Sequence, residues 1–256
     1  MRNLSDFLVV TVLLEEEKPF LKGVGAQNKR ANLYPEDLSE EEFERFLSSL
    51  SKEKQEEAKG FFHLIRRDSN ANLRAVPYSE EYGGFLAPVS KLLEEASLLT
   101  ENKSLAKFLS ERARALLSNS YRQSDALWMD VESSSMLDVT LGPYEVYLDK
   151  FQNLKSTFES FVAVRDVEST SQLDKYSSEL QLIEDNLPIE EKYKSKEIGN
   201  TDSPLVAVNL VFSSGDVCGP QTVAFCLPND EVVRKEKGSK RVMLKFVSQI
   251  PNFFFF

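Results

Sequence analysis

Histidines, cysteines and clustered carboxylates carry most nucleophilic and metal chemistry, so their number and spacing bound what this chain can do. It holds one histidine, His63, so any Ser-His-Asp or Cys-His arrangement would have to use it. His63 stands in Phe61-Phe62-His63-Leu64-Ile65, among core-type residues, and reads as an ordinary partly buried or surface side chain in mid-helix. One imidazole also falls short of the three-ligand sets, such as His-Glu-x-x-His, that hold catalytic zinc. Cys218 and Cys226 could supply at most two ligands of four, and they read as reduced structural thiols. Gly23-Val24-Gly25 lacks the third glycine of a dinucleotide site, and Gly215 to Gly219 lacks the Gly-Lys-Ser/Thr ending of a phosphate loop. No Arg-Glu-x-x-Glu-Glu magnesium box occurs, and the runs Glu40-Glu41-Glu42 and Glu53 to Glu57 read as solvated helix faces. From residue types alone, no catalytic residue and no metal-ligand set is assigned.

The composition narrows the partners. Against 31 basic residues stand 41 acidic ones, a formal net charge of −10, and such a field repels phosphate backbones. Nucleic acid is therefore not expected. The apolar run Phe7 to Leu14 is followed at once by Glu15, Glu16 and Glu17, and it is far shorter than the about 20 residues a membrane helix needs. It also lacks the basic start and small-residue cleavage site of a secretory signal, so no membrane partner is expected. Two cysteines are too few for a disulfide framework, which agrees with a reducing, cytoplasmic location.

The elements that would position any site fall into two parts. In the N-terminal half the period is helical. Ser39 with Glu42 forms a capping box ahead of Phe43, Phe46, Leu47 and Leu50. Lys52 to Arg67 reads as a second helix with Ala58, Phe61, Phe62 and Ile65 on one face, and Asn70 to Tyr78 breaks the pattern. Two more amphipathic helices are expected at Ser79 to Leu99 and Ser104 to Leu117. After Trp128, read as a core residue, the runs become β-like: Leu137 to Leu141, Tyr144 to Leu148 and Phe158 to Val164. A helix from about Thr170 to Leu187, with Leu173, Tyr176, Leu180 and Ile183 inward, ends at Pro188. Leu205 to Phe212, Thr222 to Leu227 and Arg241 to Val247 complete the strands. The expected fold is α+β: a helical N-terminal layer with a small, mostly antiparallel β-barrel. The expected divisions are an unmatched segment 1–20, a helical part 21–130, a barrel part 131–247 with one inserted helix, and an unmatched tail 248–256.

Several segments, in order along the chain, resemble a known family. They are Gly142-Pro143-Tyr144-Glu145-Val146-Tyr147, Thr157 to Asp166, Glu184-Asp185-Asn186-Leu187-Pro188, Ser214-Gly215-Asp216-Val217, Gly219 to Phe225, and Leu227-Pro228-Asn229-Asp230-Glu231. Together they are similar to the dipeptidyl peptidase III family of zinc metallopeptidases, and Asn32 to Pro35, Val76 to Ser79 and Ala126 to Asp130 fit its plant branch, in which the peptidase module follows a Nudix domain. Such a resemblance implies a two-lobed protein with a deep cleft, one lobe built on a five-stranded barrel and the other carrying zinc. This chain covers much of the barrel lobe and stops before the zinc-binding helix, so it is expected to be a truncated piece with no metal of its own.

The resemblance also implies a substrate class. In that family a short peptide lies along a barrel strand and a Glu and two Asn residues hold its free N-terminal ammonium, an arrangement that satisfies backbone donors and selects the amine. Carried over, the Glu is Glu145, its neighbouring Tyr is Tyr147, and the second Asn is Asn229. Cys226 stands at the first Asn position, where a thiol is the poorer acceptor. On residue type alone, Glu145 and Tyr147 read as an outward-facing pair on a strand in an acidic protein, and Asn229 reads equally as a turn residue after Pro228. Three readings remain: a peptide-holding fragment without catalysis, a non-enzymatic peptide- or protein-binding module, and a piece of a zinc dipeptidyl peptidase fused to a Nudix hydrolase domain.

Overall fold

The computed structural model describes residues 29–196, 205–215 and 223–245. Cys218, Gly23, Gly25 and the run Phe7 to Leu14 lie outside the described residues, as does the tail beyond Lys245.

The chain opens with α1 (Glu40–Ser49) and α2 (Lys52–Lys59), started by serine caps: Ser39 accepts from the Glu42 amide at 3.1 Å and Ser51 from Lys54 at 3.5 Å. The expected reciprocal box is half made, because the Glu42 carboxylate instead takes a bidentate bond from Arg67, at 2.8 and 2.9 Å. The long helix expected to Arg67 is corrected. At Gly60 α2 stops, and β1 (His63–Arg67) pairs antiparallel with β2 (Leu73–Pro77), the stretch expected to be irregular. Asp68 makes that turn by accepting the amides of Asn70 and Asn72 at 2.8 and 2.9 Å. Tertiary pairing won over helical spacing here: the Ile65 amide donates to Leu33 at 3.0 Å, and Leu64 and Ile65 are both buried. His63 thus opens a strand and is not in mid-helix.

A short α3 (Tyr78–Glu81) leads into α4 (Gly83–Leu99), and α5 (Lys103–Ser118) comes next, capped by Asn102, which accepts from Leu105 at 2.9 Å. The next helix, α6 (Arg122–Met129), was not expected from the sequence; it carries the buried Trp128, whose indole donates to Val139 at 2.9 Å. The strands are β3 (Leu137–Glu145), β4 (Thr157–Arg165), β5 (Leu205–Gly215), β6 (Ala224–Leu227) and β7 (Lys240–Leu244), paired in the order β3-β4-β5-β7-β6. All neighbours are antiparallel except β5 and β7. The inserted helix is two, α7 (Val167–Ser178) and α8 (Leu180–Asp185), with Ile183 half exposed where an inward position was expected. A seven-residue α9 (Glu231–Lys237) bridges β6 and β7, its first amides held by Asp230.

The sheet is strongly curled. In a flat sheet β4 and β6, three intervals apart, would be separated by about 14 Å. Instead Phe161 of β4 and Phe225 of β6 stack at 4.8 Å between ring centroids. Leu105, Phe108 and Trp128 pack with Tyr144, Val208, Leu227 and Leu244 of the concave face into one core. A second core joins α1, α2 and the β1–β2 hairpin to the loop after β3. That loop is organised by Asp149, which accepts the amides of Phe151, Gln152, Leu154 and Lys155 and the hydroxyl of Tyr34 at 2.8 Å.

Candidate functional site

Curling brings the two edges of the sheet near one another. The last residues of β3 and the turn after β6 meet through Asn229, whose side-chain amide donates to the Tyr144 carbonyl at 3.0 Å and lies 3.5 Å from Glu145 Oε1. Asn229 is fixed through its chain neighbour Asp230. That carboxylate caps α9 and also accepts from Arg122 of α6 at 3.0 Å, so the turn is tied to the helical layer. Glu145 is aimed by a bulge. Pro143 pairs with Phe158 but Glu145 with Thr157, so Tyr144 is an extra residue on β3, and Thr157 Oγ1 donates to the Glu145 carbonyl at 3.2 Å. With its amide hydrogens used inward, Asn229 keeps its own carbonyl oxygen as an acceptor beside a carboxylate.

Of the four residues singled out by resemblance, Glu145 and Asn229 are therefore in contact. Tyr147 lies in the turn after β3, not on a strand, and is 69% exposed. Cys226 is an exposed, free thiol on β6, paired in register with Arg241. Among the described residues neither is hydrogen-bonded to Glu145 or Asn229. Among the described residues β6 pairs with β7 on one side and with no strand on the other, which leaves it an edge strand of the sheet.

Beneath this pair lies a constellation that sequence reasoning missed. Arg112 of α5 is fully buried, and its Nη2 donates to Asp125 of α6 at 2.5 Å. The guanidinium carbon lies 5.4 Å from the ring centroids of Phe108 and Tyr121 and 5.6 Å from that of Tyr144. Burial pushes the Asp125 carboxyl above its ordinary value, against the pull of Arg112. Burial also raises the Tyr144 hydroxyl, which stays protonated. An arginine on the apolar stripe of α5, between Leu109 and Leu116, marks a buried charge in the sequence but not the residues it contacts.

The described residues do not fit a zinc site. No group of three His, Cys, Asp or Glu side chains among them converges on a point that could hold a metal. Burial, and then the Lys155 cation, push the His63 imidazole below its ordinary value, so its neighbourhood disfavours a further positive charge.

An α+β lobe of this kind, a curled five-stranded half-barrel against a helical layer, is the fold of the dipeptidyl peptidase III-like proteins. The chain belongs to peptidase family M49, whose family profile matches residues 21–252. The dipeptidyl peptidase III of Caldithrix abyssi superposes with a TM-score of 0.83 at 42% identity, covering 94% of this chain and 45% of that one. The enzyme from Corallococcus sp. strain EGB gives 0.75 at 44% identity, covering 91% and 43%. Among curated proteins, Nudix hydrolase 3 of Arabidopsis thaliana is 42% identical over 239 residues, 86% of this chain and 30% of that protein. The chain thus spans less than half the length of the relatives it matches.

Proposed function

We propose that this chain captures short peptides by their free N-terminal amine, laying them along the open edge of β6 as an added strand. The observation that carries the reading is the Glu145–Asn229 contact at 3.5 Å beside that edge. A peptide ammonium brings three donors, and the Glu145 carboxylate with the Asn229 carbonyl oxygen offers charged and neutral acceptors. Strand addition pairs the peptide's backbone groups without regard to its side chains, so the amine supplies the selectivity. Cys226 stands on the same strand and contributes a weaker acceptor than an amide would, while the exposed Tyr147 ring covers the apolar side of the first residues.

Capture, and not bond cleavage, is what we assign to these 256 residues. Their single histidine and the poor fit of the described residues to zinc leave the hydrolytic step of the family to groups elsewhere, and a cytoplasmic setting belongs to the same proposal. Calorimetric titration with a free-amine tripeptide and its N-acetyl form tests the capture. A charge-assisted hydrogen bond is worth about 1.5–3 kcal/mol, so acetylation should weaken binding by at least about tenfold. Equal affinity for the two peptides would remove the clamp.

A further inference from the structure

We infer that Arg112 is a positioning residue for the ammonium clamp: held by Asp125, its guanidinium seats on Gly142 and under the Tyr144 ring and so fixes the bulge that turns Glu145 toward Asn229. This rests on the clamp proposed for Glu145 and Asn229 and adds the device that sets its geometry.

Three observations converge on it. The first is the bulge, since an antiparallel strand in uniform register would pair Tyr144 with Thr157 and carry Glu145 to Ser156, just before β4 begins. The second is space. A Cβ built on Gly142 would lie 2.6 Å from Arg112 Nη1 and 3.2 Å from the Tyr144 ring, so the glycine leaves room for the guanidinium to rest on the strand two residues before the bulge. The third is that Arg112 cannot retreat. It is fully buried, charge-paired to Asp125, and flanked by Phe108 and Tyr121 as well as Tyr144. Tyr144 is thereby gripped on its ring by Arg112 and at its carbonyl by Asn229 at 3.0 Å, and Glu145 is the next residue.

The test reads the ratio of affinities for a free-amine tripeptide and its N-acetyl form, measured by calorimetry on folded 256-residue chains. A purely structural arginine would lower the melting temperature of its variants and leave that ratio alone. Gly142→Ala, which drives a methyl into the guanidinium, is expected to reduce the ratio at least about fivefold. Arg112→Lys keeps a charge for Asp125 but loses the plate under Tyr144, and should reduce it comparably. Because lysine vacates the space at Gly142, adding G142A to R112K should cause no further loss. Should G142A fold poorly, Tyr144→Leu, which removes the ring, is expected to reduce the ratio as R112K does. An unchanged ratio in both R112K and G142A, or losses that simply multiply in the double variant, would overturn the inference while leaving the clamp standing. A wild-type ratio near one would fail the clamp itself, and this inference with it.

Discussion

Replacing Lys155 by methionine is expected to flatten the alkaline dependence of stability. Lys155 is fully buried in the loop two residues before β4, where its ammonium donates to the carbonyls of Ala58 and Gly60, the latter at 2.9 Å, closing the end of α2. Burial brings its pKa from 10.5 down to about 7, with Asp149 pulling weakly the other way. The folded state therefore binds this proton less tightly than the unfolded chain. The resulting destabilisation is fully present below about pH 7 and is relieved as pH rises toward 10.5. Its slope approaches about 1.36 kcal/mol per pH unit, so between pH 7.5 and 9 the parent should gain about 2 kcal/mol that K155M does not. Lys240, brought down to about 8 by its own burial, titrates in the same window but is present in both proteins and cancels in the difference. Urea unfolding of both proteins at the two pH values measures it. Parallel pH dependence in parent and variant would refute the reasoning. The outcome bears on the site, because Lys155 anchors the strand whose Thr157 holds the Glu145 backbone.

Two further perturbations test other contacts of the sheet. Asp138 takes Arg165 at 3.1 Å and Lys240 at 3.6 Å on one buried oxygen, so Asp138→Asn leaves two buried cations short of their counter-charge and should cost about 3–5 kcal/mol, read as a lower denaturation midpoint. Glu145→Gln keeps the shape of the clamp without its charge. It should weaken free-amine peptide binding at least about tenfold and leave N-acetyl peptide binding unchanged in the same titrations.

How far the residues announced this architecture varied with the reason each element forms. Most sheet strands and α1 and α5 were legible because period-2 runs and side-chain caps are local signals, and Ser39 and Asn102 both cap. But the runs expected as two strands, Leu137 to Leu141 and Tyr144 to Leu148, are the single strand β3 ending at Glu145, because Gly142 and Pro143 stay in register with Glu159 and Phe158. The β1–β2 hairpin was hidden because Ala58, Phe61, Phe62 and Ile65 also satisfy helical spacing, and what decides against a helix is tertiary: the antiparallel pairing of β1 with β2 and the bond from Ile65 to Leu33. Short α6 and α9 carry too few residues for a periodic signal, and α9 exists largely through its Asp230 cap. At the site, Glu145 and Asn229 were found through resemblance, not spacing. The bulge at Tyr144 and the grip of Arg112 were not legible, since both depend on which strand lies under which helix.

A peptide's amine, on this reading, is held where Glu145 meets Asn229. A crystal structure of the chain with a free-amine tetrapeptide tests that most directly. The peptide is expected as a sixth strand on β6, with its terminal nitrogen within about 3.2 Å of a Glu145 carboxylate oxygen. A peptide bound away from β6, or bound there with its amine pointing from Glu145 into solvent, would contradict it.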